Sequence, residues 1–273
     1  MKRIVFFLLI TLSIAAIACG NKEKKSNETV VSIKTKLGEI KVKLYDDTPE
    51  HRKNFLKLVN EGFYNDLLFH RVINHFMIQG GDPMSRNAGK NILLGGGSPG
   101  YTIPAEIIPK HFHKKGALAA ARRGGRANPE KRSSGSQFYI VQGEIYTPEA
   151  LDTMEMIIND RRKNELMNKH MGAMKDEIIE YKKKNDRAGF DIRIAEEREL
   201  VDSIYAAGPQ FSFSDEARKA YTTIGGYPSL DGEYTVFGEV VEGLDVLDKI
   251  AAVETDKQNR PVNDISMQIE VVK

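Results

Sequence analysis

Two residue types are almost missing from this sequence, which has one cysteine and no tryptophan among its 273 residues. A single cysteine cannot form a disulfide within the chain, so a disulfide-stapled fold is excluded. An excess of charge of one sign is also missing. The 40 lysines and arginines are nearly balanced by 38 aspartates and glutamates, which gives a formal net charge of +2. Strongly polyanionic partners, nucleic acid in particular, are therefore not expected.

The one long hydrophobic run lies at the N-terminus. A basic pair at 2–3 precedes an almost wholly apolar stretch at 4–17, which is too short for a membrane-spanning helix. This pattern predicts an export signal over residues 1–18. The next residue, Cys19, resembles the lipidated cysteine of bacterial lipoproteins, which becomes the mature N-terminus. The alternative is an ordinary secretory leader in which Cys19 has no role.

The residues that follow the predicted signal are polar, and they predict a disordered tether over 19–29. The signal, the lipid and the tether together predict an exported protein that is anchored to a bacterial envelope membrane. We expect it at the outer membrane or facing the periplasm. A cytosolic protein with an uncleaved leader is the alternative, and it would show no mass change at Cys19.

Three stretches of the chain combine strand alternation with an unusual set of side chains. The first, FHRVINHFMIQGGD at 69–82, contains Arg71, an apolar pair and Gln79. Arginine does not titrate in proteins, so this set does not favour acid–base chemistry. A planar fork of donors beside apolar walls suits a site that grips a polypeptide. The other two stretches are SSGSQFYIV at 133–141 and LDGEYTVFG at 230–238.

In this order, the three stretches resemble the signatures of the cyclophilin family of peptidyl-prolyl cis/trans isomerases. The resemblance covers 30–146 and 224–273, but neither the N-terminal segment nor 147–223. It implies a mostly β fold, a closed antiparallel β-barrel capped by two helices. It also implies a monomer that isomerises Xaa-Pro bonds in unfolded or extended polypeptides, with no cofactor and no metal.

The resemblance also assigns the residues of the site. Arg71 matches the catalytic position. The residues that match the proline pocket and the groove beside it are Phe76, Met77, Gln79, Ala121, Gln137, Tyr139 and Leu230. Of these, Gln79 and Gln137 are expected to orient Arg71 or to contact the substrate backbone, and Ala121 is expected to lie beside the peptide.

One of these residues departs from the family pattern. Tyr139 stands where the family usually has phenylalanine, and activity is expected to survive because the two side chains are similar in shape. Strand alternation also bears on this residue, since residues i and i+2 of a strand share a face. If Gln137 faces the site, Tyr139 does too, and Phe138 packs into the core.

Two segments near the site are predicted to be surface loops. The basic segment 122–132 is predicted to stay solvated, with contact to acidic client proteins as the alternative. His111 and His113 form a His-x-His pair, for which a metal site is the alternative. No acidic or thiol partner lies at ligand-like spacing from the pair, so a surface loop is preferred.

The segment 148–222 is predicted to be a helical insertion that interrupts an isomerase domain over 30–273. Apolar residues recur at helical spacing in this charged segment, namely Met167, Met171, Met174, Ile178 and Tyr181. Gly189 is predicted to break the helix, a second helix to end at Gly208, and a third to follow Ser214. The stripe is expected to pack on the insertion itself or on the barrel. The alternative is that its methionine-rich face contacts unfolded clients or a partner.

The sequence as a whole therefore predicts a prolyl isomerase that assists the folding of exported proteins in the cell envelope. The alternative is a catalytically weak, chaperone-like or partner-binding module that uses the groove of the barrel and the helical insertion. Deleting the insertion separates the two functions, because peptide isomerisation would survive while suppression of aggregation would disappear.

Overall fold

The computed structural model describes residues 29–272. Within this range, the strands are β1 Thr29–Thr35, β2 Gly38–Leu44, β3 Leu67–Leu68, β4 Arg71–Ile73, β5 Met77–Gly80, β6 Thr102–Ile103, β7 Ala117–Ala120, β8 Ser133–Ser134, β9 Phe138–Val141, β10 Val236–Glu242 and β11 Ser266–Val271. The helices are α1 Pro49–Asn60, α2 Pro148–Ala173, α3 Lys175–Lys183, α4 Arg187–Ala207, α5 Asp215–Thr223 and α6 Leu244–Ala251. The predicted export signal, the lipidation site Cys19 and nearly all of the tether lie outside the described residues.

Nine strands form one antiparallel sheet, in the order β3-β11-β1-β2-β10-β7-β9-β5-β4, while β6 pairs with β8 apart from it. The sheet curls into a half-barrel, and the predicted closed barrel is wrong. Its two edge strands, β3 and β4, pair with β11 and β5 respectively, and no ladder joins them. β3 and β4 follow one another in a single extended segment, so they cannot pair with each other as antiparallel strands.

Two helices pack against one face of this sheet, as predicted. Pro49 lies in the first turn of α1, and Glu50 lies near the positive end of its dipole. The buried residues that α1 and α6 contribute to the main core are Phe55, Leu58, Val59, Val246, Leu247, Ile250 and Ala251. The opposite face of the sheet is therefore left for the site residues.

The segment 148–222 is helical. α2 packs on α4 and contacts α5, and α3 packs on α4. The predicted break at Gly189 is wrong, because Gly189 is the third residue of α4. The chain turns instead at Asn185, whose φ is 53°, and Asp186 caps α4 by accepting a hydrogen bond from the Gly189 N–H at 2.9 Å. The predicted end at Gly208 and the predicted start after Ser214 are confirmed.

The apolar stripe of this segment is turned toward the other helices. Met174 is buried, and the Tyr181 ring packs edge-on against Phe190 of α4 with ring centroids 6.4 Å apart. Nearer the sheet, the segment shares a small core with Phe112 and Tyr146, and its own buried members are Leu151, Ile158, Phe213, Ala217 and Tyr221. Among residues 29–272, no helix is long and apolar enough to cross a membrane.

The chain leaves and re-enters the sheet at one point. Glu144 and Gly226 form an antiparallel bridge. A Cβ atom on Gly143 would lie only 2.0 Å from the carbonyl oxygen of Gly226. Both glycines have positive φ, 65° and 159°, so this close crossing of two backbones depends on residues without side chains. The two ends of the helical segment are thus held close together where they meet the sheet.

Candidate active site

The register of the sheet aligns the predicted site residues. Arg71 on β4 lies opposite Gln79 on β5, which lies opposite Tyr139 on β9. Ala119 on β7 continues this row. Side chains alternate between the faces of a sheet, and Phe138, the neighbour of Tyr139, packs into the main core. The predicted separation of Tyr139 from Phe138 is confirmed.

This row borders a pocket of about 110 Å³ on the face of the sheet opposite the main core. The predicted site residues that line it are Arg71, Phe76, Met77, Ala121, Gln79, Tyr139 and Leu230. The Phe76 ring is supported from outside the pocket by Tyr227, with ring centroids 4.3 Å apart. The structure therefore gathers residues from four separate parts of the sequence around one pocket that has both apolar and polar walls.

The Arg71 guanidinium lies at the rim of this pocket. Its Nη1 donates to Gln79 Oε1 at 3.2 Å, and its carbon Cζ lies 5.7 Å from the centre of the Phe76 ring. Partial burial lowers the pKa of Arg71. Within the described range, Arg71 forms no ion pair with an aspartate or glutamate. Its charge is therefore not neutralised by a carboxylate partner.

A chain of amide hydrogen bonds fixes the orientation of Arg71. Gln79 Nε2 donates to Gln137 Oε1 at 3.0 Å, so the oxygen of Gln79 is the atom left to accept from Arg71. Gln137 is buried, and its Nε2 donates to the carbonyl oxygens of Gly95 and Gly97 at 3.0 and 2.8 Å. Gln137 therefore acts on Arg71 through Gln79 and does not line the pocket of Tyr139.

A second cavity of about 400 Å³ adjoins the first. It shares Gln79, Ala121 and Arg122 with the pocket, and Gln137 lines it. The glycine-rich segment 95–97 forms part of its wall. The two hollows together form a groove in which an extended polypeptide can place several consecutive residues.

Two residues that line the pocket, Arg122 and Tyr234, are not among those predicted from the sequence. The sequence predicts a solvated loop for Arg122, but only 9% of its side chain is exposed. The guanidinium lies 4.6 Å from the centre of the Tyr234 ring, and it forms an ion pair with Glu233 at 2.9 Å. Both Arg122 and Tyr234 line the pocket. The one feature of the sequence that indicates this role is that Arg122 directly follows Ala121, a predicted site residue.

The prediction of a surface loop is wrong for His113, which is fully buried. Its Nδ1 lies 2.8 Å from Asp231 Oδ1, and its Nε2 lies 3.0 Å from the Tyr139 hydroxyl. His111 is half-buried and stacks on the Tyr45 ring, with centroids 4.0 Å apart. In the part of the chain that the structure describes, no group of three or more His, Cys, Asp or Glu side chains could hold a metal ion.

Comparison with known proteins agrees with this geometry. The sequence matches the family described as cyclophilin type peptidyl-prolyl cis-trans isomerase/CLD over residues 30–171 and 173–271. The chain belongs to the cyclophilin family. The match includes most of 148–222, so the prediction that this segment lies outside the resemblance is wrong. A charged helical sequence contains no short motif by which such a likeness could be noticed.

Bacterial relatives span nearly the whole of this cyclophilin. A Staphylococcus haemolyticus protein named "Putative peptidyl-prolyl cis-trans isomerase" is 29% identical over 249 residues, which are 91% of this chain and 93% of that protein. A Streptococcus pyogenes protein named "Putative bifunctional phosphatase/peptidyl-prolyl cis-trans isomerase" is 31% identical over 88% of this chain and 38% of its own length. This cyclophilin is accordingly a peptidyl-prolyl cis/trans isomerase.

Solved structures share its fold. A crystal structure of a cyclophilin type isomerase from Cryptosporidium parvum covers 90% of this chain and 98% of that one, with a TM-score of 0.52 and 22% identity. A second structure of the same protein, determined in the presence of the dipeptide Ala-Pro, has a TM-score of 0.50 and 21% identity. At these identities the likeness concerns the fold alone.

Proposed function

We propose that this cyclophilin isomerises Xaa-Pro bonds with Arg71 as its catalytic residue, in a pocket formed by Phe76, Met77, Tyr139 and Leu230. The observation that carries the proposal is the placement of Arg71. Its guanidinium is held by Gln79 at the pocket that Phe76 and Met77 line, without a carboxylate partner among the described residues. A structural arginine would instead be paired with Asp or Glu.

The chemistry of isomerisation explains why such an arginine is useful. An Xaa-Pro bond isomerises slowly because the resonance of its amide must be broken. In the twisted state, the proline nitrogen becomes pyramidal and gains a lone pair. A fixed cationic donor aimed at this nitrogen, or at the adjacent carbonyl, binds the twisted state better than either planar state. That difference in binding lowers the barrier, and no nucleophile or base is needed.

Replacing Arg71 with alanine tests this role. A charge-assisted hydrogen bond contributes about 1.5–3 kcal/mol, so Arg71→Ala should lower the rate about 10- to 150-fold. The rate is measured by NMR exchange on an Xaa-Pro peptide, with wild-type and variant proteins side by side. Arg71→Lys should also be slow, because a point charge does not reproduce the planar fork of donors. A loss of less than about threefold in Arg71→Ala would contradict the assignment.

We also propose that the substrates are extended segments containing proline. The groove formed by the two cavities has room for further residues beside the proline pocket. The related Cryptosporidium protein, whose structure was determined in the presence of Ala-Pro, supports the same class of ligand. A peptide with proline replaced by alanine should therefore compete poorly with the Xaa-Pro peptide.

The cellular setting is a further part of the proposal. The signal at 1–18 and the cysteine at 19 support export and lipid anchoring, so that the clients would be exported proteins folding in the cell envelope. The protein would then act as a monomer attached to the membrane by its N-terminal lipid and the tether at 19–29.

A second function, binding of unfolded chains by the helical segment, is favoured by one observation. Several large apolar side chains of α2 and α4 are exposed, namely Met156, Ile157, Ile192, Leu200 and Ile204. Exposed apolar side chains on neighbouring helices can contact unfolded polypeptides. A loss of aggregation suppression without a loss of isomerisation, on shortening these helices, would establish this function beside the first.

A further inference from the structure

A buried hydroxyl of the helical segment belongs to the hydrogen-bonded network behind the pocket. Tyr221 lies in α5 and is fully buried in the small core beside Leu151 and Phe213. Its hydroxyl donates to Asp231 Oδ2 at 2.6 Å. This bond crosses from the helical segment to the turn that carries Leu230, a wall of the pocket.

Asp231 continues the connection to His113. Its Oδ1 accepts from the His113 backbone N–H at 2.9 Å, and it lies 2.8 Å from His113 Nδ1. A carboxylate can only accept, so His113 Nδ1 donates its proton to Asp231. The Nε2 atom of the same ring lies within hydrogen-bond distance of the Tyr139 hydroxyl, 3.0 Å away. The result is an unbroken path from Tyr221 through Asp231 and His113 to Tyr139.

The path has two consequences for the pocket. The Tyr139 hydroxyl is directed into the interior, so the ring presents its apolar part to the pocket as a phenylalanine would. Leu230 directly precedes Asp231, so one carboxylate holds two walls of the pocket. His113 and Tyr221 are fully buried, which keeps water away from their side chains.

We propose that Tyr221, supplied by the helical segment, is a positioning residue that fixes Tyr139 and Leu230 through the buried path Asp231–His113. The helical segment is on this view a working part of the isomerase. The inference rests on the proposed pocket. The pocket walls contact the proline ring in every state of the substrate, so disturbing them changes binding of the ground state and the twisted state alike. Such a loss raises KM and leaves kcat unchanged.

The test variant is Tyr221→Phe in the full-length protein, which keeps the ring in its core and removes only the hydroxyl. We expect KM for an Xaa-Pro peptide to rise about 3- to 10-fold, with kcat within about twofold of wild type, because uniform binding alone is lost. Exchange NMR over a titration separates the two constants. Tyr146→Phe is the matched control, since Tyr146 packs in the same core outside the path. It should leave both constants unchanged.

A double-mutant cycle distinguishes an effect transmitted along the hydrogen-bonded path from a general loss of packing around Tyr221. Tyr139→Phe removes the last bond of the path, so adding Tyr221→Phe should raise KM by clearly less than it does in the wild type. Full additivity would overturn the inference. An unchanged KM in Tyr221→Phe, even with a lower melting temperature, would overturn it too. Arg71→Ala in the same assay tests the proposed active site separately. A large loss of kcat in this variant would support the site even where Tyr221→Phe has no effect on KM.

Discussion

His70, the neighbour of the proposed catalytic arginine, is a buried histidine. Only 3% of this residue is exposed, and burial lowers the pKa of its ring from 6.5 to about 4. The nearby Asp82 carboxylate raises the pKa, but burial outweighs it. In the folded protein the ring is therefore neutral under conditions where it would be protonated in the unfolded chain.

This burial predicts a loss of stability in mild acid. Because the folded pKa lies below the unfolded value, stability is full above pH 6.5 and falls as the pH approaches 4, by about 3 kcal/mol. A variant with His70→Gln has no ring to protonate, so its stability should fall less over the same interval. Denaturant unfolding at pH 7, 5 and 4 measures the difference.

The control for this experiment is His75→Asn. His75 is exposed and has a φ of 61°, a conformation that asparagine tolerates well. Its pH dependence of stability should match that of the wild type. If His70→Gln also loses stability with the wild-type slope, the acid sensitivity arises elsewhere.

Residues whose face is set by local alternation could be predicted from the sequence. Arg71, Gln79 and Tyr139 lie on short strands, and alternation fixed which of their neighbours entered the core. His113 could not be predicted in this way. Its burial depends on Asp231, 118 residues further along the chain, and no local pattern indicates that partner.

At the scale of the element, the helices of 148–222 divide into two parts. Near the sheet, α5 and the start of α2 form the small core that contains Tyr221. Farther out, α2 and α4 are joined by an ion pair of Lys163 with Asp202 at 2.7 Å and by a hydrogen bond between His170 Nδ1 and Glu197 Oε1 at 2.5 Å. The distal part contains no residue of the pocket or of the path from Tyr221.

A shortened helical segment should therefore remain an active isomerase. Deleting 164–201 brings together Lys163 and Asp202, whose side chains already form an ion pair, so a short glycine-rich linker can join them. We expect kcat and KM within about twofold of wild type, since the positioning path is intact. Isomerisation is measured by exchange NMR and aggregation suppression by light scattering.

The larger deletion of 148–222 is the informative comparison. It removes Tyr221 along with the distal helices, so we expect it to raise KM where the shorter deletion does not. Equal KM values for the two deletions would argue against any influence of α5 on the pocket.

Helix ends within this segment could be predicted only where a capping signal was strong. Ser214 at the start of α5 and Gly208 at the end of α4 behaved as expected. Gly189 did not, because one glycine in the first turn of a helix costs only about 1 kcal/mol. Asp186 supplies the cap three residues before it.

At the scale of the whole molecule, the resemblance in sequence predicted the antiparallel sheet but not its edges. Closure depends on whether the first and last strands of the sheet meet, which short motifs do not encode. The proposed attachment to a membrane is likewise a property of the whole molecule, because it depends on a lipid at one end and a folded isomerase at the other.

Replacing Cys19 with alanine tests the attachment. The wild-type protein should incorporate radiolabelled fatty acid in a bacterial host and sediment with membranes. The Cys19→Ala variant should do neither, and it should retain the precursor mass. Interpretation is simple because Cys19 is the only cysteine in the chain. Equal labelling of the two proteins would refute lipidation at this residue.

The crossing of Gly143 and Gly226 has a consequence for changes in chain length. Since the two backbones meet there, everything between them is a closed loop, whatever it contains. The entropy of closing a loop grows only slowly, by about 0.6 kcal/mol for each doubling of length. Residues can therefore be added or removed at the end of the helical segment that lies away from the sheet, with little effect on the stability of the sheet. This makes the outer end of the α2–α4 pair a suitable place to graft a foreign folded module onto a working enzyme.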